Sequence, residues 1–286
     1  MKIKVYQLNS FAKVSGGGNP AAVVLNAENL SQEMMQETAK IIGVSETAFV
    51  MASEKANYRI RYFTPVSEVG LCGHATIAVF SLLKELKIIR DGEYFLETAA
   101  EVLKVMISGK EVLMDMQKAT FYNHIDASIV ADTLNISPED LMDGPYPQVV
   151  STGLKDLIIP LKSKAILDGI VPDFRKIERI SEMNGIEGYH LFALDENVTA
   201  WTRNFAPLLG IPEESATGTA SGALAAYLYC HGLLRENQKR DLIFRQGESM
   251  GRPSEIRVVM TASDKDIERI QVGGSVMDIT RFDLEI

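Results

Sequence analysis

The sequence predicts an α+β protein of two pseudo-repeated domains, each a curved, mostly antiparallel sheet wrapped around a central apolar helix. Three observations predict this class. Short motifs recur about half a chain length apart, each half holds one long segment free of charged residues, and the stretches around those segments alternate with a period of two.

The recurrences set the organisation, because a repeat decides a fold before any single element does. Arg61-Tyr62-Phe63-Thr64-Pro65 returns as Arg203-Asn204-Phe205-Ala206-Pro207, and Cys72-Gly73-His74-Ala75-Thr76 as Thr217-Gly218-Thr219-Ala220-Ser221. Gly43-Val44-Ser45-Glu46 parallels Gly185-Ile186-Glu187-Gly188, and Gly18-Asn19-Pro20-Ala21-Ala22-Val23-Val24 is loosely echoed by Gly153-Leu154-Lys155-Asp156-Leu157-Ile158-Ile159. Their order is preserved, as gene duplication would leave it. The first repeat is expected at 1–117, completed by a C-terminal strand at 276–286, and the second at 118–275.

The elements follow in order. The N-terminus alternates like a strand, and Gly16-Gly17-Gly18 marks a turn before a second strand. Gln32 to Ile42 has the pattern of an amphipathic surface helix. Val69 to Leu83 and Ser215 to Leu234 contain no Asp, Glu, Lys or Arg, so a helix in either is apolar all round and must be buried on all sides. In a half this small a curved sheet is the natural cover. Gly232 is placed to end the second of these helices as a C′ glycine. Residues 94–98, 102–107, 111–116, 242–244 and 255–260 alternate with Val and Ile and read as antiparallel strands.

Composition narrows the function classes. With 286 residues, 46% apolar and 23% charged, the chain is of ordinary globular composition. A formal charge of −9 without a basic block excludes nucleic acid as a partner. No apolar run reaches the ~18 residues a membrane span needs and no signal-peptide core is visible, so a cytoplasmic location away from membranes is expected. The cysteines, Cys72 and Cys230, are too few for a disulfide framework, and none is expected. The histidines at 74, 124, 190 and 231 are scattered, and Cys72-x-His74 alone makes no metal site. Dinucleotide, P-loop and serine-hydrolase motifs are missing.

The chemistry concentrates where the buried helices begin. A helix N-terminus presents unpaired backbone N–H groups and a partial positive charge, and small residues let a ligand approach them. Gly73-His74-Ala75 and Gly218-Thr219-Ala220 therefore read as two anion cradles, suited to a carboxylate or a developing enolate, with the active site expected in the cleft between them. Tight helix packing is the alternative use of the same small residues.

These segments resemble the phenazine-biosynthesis PhzF family within the diaminopimelate-epimerase-like superfamily. The resemblance is carried by Gly18-Asn19-Pro20-Ala21-Ala22-Val23, Ser45-Glu46-Thr47-Ala48-Phe49-Val50, Arg61-Tyr62-Phe63-Thr64-Pro65, Leu71-Cys72-Gly73-His74-Ala75-Thr76, Ala216-Thr217-Gly218-Thr219-Ala220, Gln246-Gly247 and Gly251-Arg252-Pro253-Ser254. It implies a cofactor-free isomerase, in many cases a homodimer, that moves a proton within a small carboxylate-bearing molecule by means of one glutamate. That glutamate falls on Glu46, the family's histidine on His74, its serine on Thr219 and its acidic residue on Glu214. The family's Asp-Pro is Glu214-Ser215 here, a departure from the pattern. Asn19, Cys72, Gly73, Ala75, Thr217, Gly218, Ala220, Gln246 and Gly247 complete the expected substrate-binding set.

The residues themselves sharpen the reading. Glu46 has Gly188 as its repeat partner, so one half carries a carboxyl group that the other lacks, which suits a single acid/base. Burial is expected to raise its pKa. His74, at a helix N-terminus, is expected to be neutral. Cys72 could be activated as a thiolate in the same position. Yet its repeat partner is Thr217, and Cys230 lies 13 residues (217 to 230) further along the helix, about 20 Å away at 1.5 Å per residue, so a two-thiol racemase is disfavoured.

Overall fold

The computed structural model describes residues 1–99, 101–235, 240–263 and 266–286. In chain order the first elements are β1 (Lys2–Ser10), β2 (Asn19–Val24), α1 (Gln32–Ile42), β3 (Glu46–Met51), β4 (Tyr58–Phe63), β5 (Glu68–Val69), α2 (Gly73–Glu85), β6 (Gly92–Glu97), β7 (Val102–Ser108) and β8 (Glu111–Asp115). Next come β9 (Thr120–His124), α3 (Ala127–Leu134), β10 (Gln148–Ser151), β11 (Lys155–Leu161), α4 (Lys164–Gly169), α5 (Phe174–Asn184), β12 (Gly188–Leu194) and β13 (Ala200–Ala206). The chain closes with β14 (Ile211–Glu214), α6 (Gly218–Cys230), β15 (Asp241–Gln246), β16 (Ser254–Ser263), β17 (Asp266–Gly274) and β18 (Val276–Glu285). Two compact units result, one formed by Met1–Asp115 with Gly273–Ile286 and the other by Met116–Val272.

The same pairing order builds both units. In the first, β18, β1, β2, β3 and β4 are neighbours, and β4 then pairs antiparallel with β5 and parallel with β6. In the second, β9, β10, β11, β12 and β13 run in that order, and β13 pairs antiparallel with β14 and parallel with β15. Parallel pairs occur at β2/β3 and β11/β12, where a helix-containing crossover joins the strands.

The alternation of side chains sorts each sheet into two faces. On the outer face of the first unit, Ala22, Val24 and Phe49 pack with Met35 and Ala39 of α1. On that of the second, Leu157, Ile159, Tyr189 and Leu191 pack with Val130, Leu134, Leu167 and Ile177 from α3, α4 and α5. The inner faces take the apolar helices. Helix α2 packs against β1, β2, β3, β8 and β18, and α6 against β10, β11, β12 and β16, so strands far apart in each sheet touch one helix. Every residue from Gly218 to Leu228 of α6 is buried, as its lack of charge requires.

The helices are shorter than the charge-free segments. Residues 69–72 and 215–217 approach in extended form, and the helices begin at Gly73 and Gly218. Helix α6 ends with His231 as cap and Gly232 at φ 67°, the left-handed C′ position that glycine fills without strain. Matching hydrogen bonds anchor the two N-termini: Ser10 Oγ donates to the His74 carbonyl at 2.7 Å, and Thr152 Oγ1 to the Thr219 carbonyl at 3.0 Å.

The turn before β2 depends on Gly18. Its φ is +80°, and a Cβ there would lie 2.6 Å from the Ser10 carbonyl oxygen. Gly18→Ala should lower stability by about 1–3 kcal/mol through backbone strain. Urea unfolding monitored by circular dichroism checks this, and an unchanged midpoint would contradict it.

Candidate active site

In the first unit the turn before α2 meets the start of β3. Cys72 and His74 are only 7% and 4% exposed, and Glu46 on the inner face of β3 is 9% exposed. Glu46 Oε2 lies 3.1 Å from His74 Nε2. Ser45 Oγ is 3.2 Å from the same nitrogen, while Cys72 Sγ and Asn19 Nδ2 stand 3.3 and 3.4 Å from His74 Nδ1. Four residues from three separate sequence stretches thus surround one imidazole.

Their charges differ from the expectations. Burial alone would raise the Glu46 pKa, but the His74 charge and hydrogen bonds from His74, Ser45 and Cys72 outweigh it and hold the carboxyl below its ordinary range. Burial opposes the His74 charge, yet the Glu46 carboxylate beside the ring and the ring's hydrogen bonds to Cys72 and Glu46 hold its pKa above the usual imidazole value. Both directions favour carboxylate and imidazolium over a raised acid beside a neutral histidine. Magnitudes explain the reversal. A helix N-terminus is worth about 0.3–1 kcal/mol against a cation. A carboxylate 3.1 Å away contributes about 5 kcal/mol in its favour at an effective dielectric near 20. The Cys72 thiol is pushed up by burial and by the Glu46 charge, against the thiolate that a helix N-terminus could have favoured.

The second unit builds its turn differently. Glu214 at the end of β14 accepts a hydrogen bond from Thr217 Oγ1 at 2.6 Å. Gln246, fully buried, donates through Nε2 to the Glu214 carbonyl at 2.7 Å and accepts through Oε1 from the Thr217 backbone at 3.2 Å. Gly247 has the Arg252 and Ser215 carbonyl oxygens 2.3 and 2.7 Å from where a Cβ would stand. Gln246 thereby braces the 214–217 turn, and Gly247 packs against it with no room for a side chain. Ala75 and Ala220 are wholly buried, which leaves them only their backbone N–H groups to offer a ligand. Neither N-cap side chain, Cys72 nor Thr217, makes a capping hydrogen bond. Thr219 is 7% exposed, and its methyl lies 3.7 Å from the position of a Cβ on Gly153.

One polar residue of this unit escaped the sequence reading. In the parallel registers Ala21 stands opposite Glu46, and Asp156 opposite Gly188. The equivalent rung therefore carries a carboxyl group in both units, on β3 in one and on the neighbouring strand β11 in the other. The second half does not lack an acid. Asp156 fills the space a side chain at 188 would take, since a Cβ on Gly188 would lie 2.5 Å from Asp156 Oδ1. Burial, with Glu187 and Glu214 nearby, pushes its pKa well above normal despite a hydrogen bond from Asn204. Asn204 Nδ2 also lies 3.2 Å from His190 Nδ1, and burial depresses the His190 pKa to about 3. Among the described residues Asp156 Oδ2 and His190 Nε2 are buried without a hydrogen-bond partner. A lone Asp beside Leu157-Ile158-Ile159 was the available signal.

A family model described as phenazine biosynthesis-like protein, PhzC-PhzF, matches residues 8–280. The chain belongs to this family. An uncharacterized isomerase from Deinococcus radiodurans is 35% identical over 278 residues, 94% of this chain and 90% of that protein. The trans-2,3-dihydro-3-hydroxyanthranilate isomerase of Pseudomonas chlororaphis is 28% identical over 276 residues, 94% of each chain. The crystal structure of a Bacillus anthracis PhzF-family protein superposes with a TM-score of 0.91 at 27% identity, covering 100% of both chains. With such relatives along nearly its whole length, this family member is an isomerase. No helix among its described residues is long and apolar enough to cross a membrane.

The raised Asp156 pKa has a definite sign for stability. Its contribution is fully present below the ordinary aspartate value of about 3.9 and is lost as pH rises through the folded value, because the folded state then binds more protons than the unfolded. Asp156→Asn should remove that loss, so its stability relative to wild type improves as pH rises from about 4. Denaturant unfolding across pH tests this, and parallel pH curves for the two proteins would refute it.

Proposed function

We propose that this protein is a cofactor-independent isomerase that moves a proton within a small carboxylate-bearing molecule, with Glu46 as the transferring base. The observation that carries this reading is the buried carboxylate of Glu46 held 3.1 Å from His74 Nε2 at the first turn of α2. A carboxylate kept ionised in a site with little water is ready to take a proton from carbon. The neighbouring imidazolium offsets the charge that develops on the substrate when it does so. Delivery of the same proton to a second carbon by the resulting Glu46 acid completes an isomerisation without net change in charge.

The first turn of α2 would receive the substrate carboxylate, and that of α6 forms a second donor turn of the same kind. Thr219 and Glu214 supply a hydroxyl and a carboxylate at that second turn. Asn19 and Cys72 touch the catalytic imidazole and orient it. The Pseudomonas chlororaphis relative, named for a substrate that is itself an unsaturated carboxylic acid, supports the substrate class.

Incubation in heavy water with a panel of small unsaturated carboxylic acids, trans-2,3-dihydro-3-hydroxyanthranilate included, should place deuterium at one carbon of an accepted substrate. Glu46→Gln should lower that exchange by about 10²–10⁴-fold with ligand affinity retained. Undiminished exchange in this variant rules Glu46 out as the base.

The pair also dictates a pH profile. Activity should fall on the acid side as Glu46 protonates, below the ordinary carboxylate range, and on the alkaline side as His74 loses its proton, above the ordinary imidazole range. A broad plateau through neutrality in kcat/KM is the expected result. A sharp optimum near pH 6 to 7, about the pKa of an unperturbed histidine, would contradict the ion pair.

A further inference from the structure

The residues around His74 are also metal ligands by type. Cys72-x-His74 is insufficient in the sequence, but the fold adds Glu46 from β3, and one ligand atom from each of Glu46, Cys72 and His74 falls within 4.8 Å of the others. Cys72 Sγ is 3.9 Å and Glu46 Oε2 3.1 Å from His74 Nε2. Zinc bonds of about 2.3 Å to sulfur and about 2.0–2.1 Å to nitrogen and oxygen, at tetrahedral angles, require S···N and N···O edges of about 3.6 and 3.3 Å. The Glu46 edge needs a shift of a few tenths of an ångström, while Cys72 Sγ, now 3.3 Å from Nδ1, must swing by roughly 1–2 Å toward the Nε2 side.

We propose that Glu46, Cys72 and His74 form a zinc-binding site. The thiol and the imidazolium each release a proton to solvent as they ligate, leaving Cys⁻, Glu⁻ and a neutral imidazole around Zn²⁺. The filled site carries no net charge, which suits a location where a bare ion would be costly. Mixed Cys, His and carboxylate donors match a borderline-soft ion such as zinc better than magnesium or calcium, which take oxygen ligands. Three protein ligands leave a fourth position for water or a carboxylate. Asn19, whose amide lies 3.4 Å from Nδ1, is placed to orient the ring through the nitrogen that zinc leaves free. A corollary, which rests on the isomerase reading above, is that zinc removes the base and the imidazolium together, so it inhibits the enzyme.

Cobalt(II) serves as the optical probe, since zinc itself is spectroscopically silent. Metal-free full-length protein titrated with Co²⁺ should bind one equivalent and show the visible bands of a tetrahedral ion with a near-ultraviolet thiolate-to-cobalt band, all abolished by Zn²⁺. Cys230→Ser, which alters the exposed cysteine, should keep the thiolate band, and Cys72→Ser should lose it. Glu46→Gln should keep that band but weaken cobalt affinity at least about tenfold, which provides a readout if Cys72→Ser fails to fold.

The absence of these bands in wild type, a thiolate band that follows Cys230, or unchanged affinity in Glu46→Gln overturns the site. Stoichiometric zinc should also stop deuterium exchange, and undiminished exchange in zinc-loaded protein overturns the inhibition. Failure of exchange in metal-free protein would instead strike the isomerase reading and the inhibition with it, while the cobalt bands still decide the site.

Discussion

A helix with no Asp, Glu, Lys or Arg before its last turn must be covered on every side there, and the architecture of each unit follows from that constraint. The cover is a sheet curled far enough that both early and late strands reach the helix, as β1, β8 and β18 do around α2. Once its flanks are covered, such a helix offers polar backbone to a ligand only at its ends. Its N-terminal turn becomes the place where donors, small residues and strand ends converge. The site is thus a by-product of burying α2, with Glu46 delivered by the first residue of β3 and Asn19 by the first residue of β2.

Duplication supplied two such turns, and the chain has used them unequally. The first surrounds an imidazole with a carboxylate, a thiol, a hydroxyl and an amide. The second is braced by Gln246 and closed by the Glu214–Thr217 hydrogen bond. The inner rung shows the same divergence. A carboxyl group persists at the level of Glu46 in the second unit, but it stands on β11 as Asp156, and Gly188 is small because Asp156 occupies its space. Burial near Glu187 and Glu214 pushes one carboxyl pKa up, whereas a facing imidazole holds the other down.

Much of this fold was legible in one dimension. The offset between Arg61 and Arg203 announced the duplication, and in the structure both arginines form the same kind of ion pair, with Glu68 and Glu213. Helix α1 spans Gln32–Ile42, where its amphipathic pattern placed it, because a surface helix is governed by local periodicity and by its Ser31 cap. Glu46, Cys72 and His74 were legible as candidates from their motifs. The register that sets Asp156 beside Gly188 was not, since residues 156 and 188 are separated by helices α4 and α5 and by no regular sequence interval.

The sequence by itself determined the duplicated α+β class, the two buried helices and the residues that gather at their first turns, because hydrophobic periodicity and the absence of charge act locally and leave few ways to bury a helix. Only the tertiary structure decided where the protons reside. A pKa depends on distances of a few ångströms between groups far apart in the chain. The 3.1 Å contact between Glu46 and His74 reversed the pKa shifts expected of both, burial and the Glu46 charge pushed the Cys72 pKa up, and the fold placed three ligand types around one point. Burial likewise commits the Gln246 side chain to Glu214 and Thr217, since a side chain with no exposure must satisfy its polar atoms within the protein.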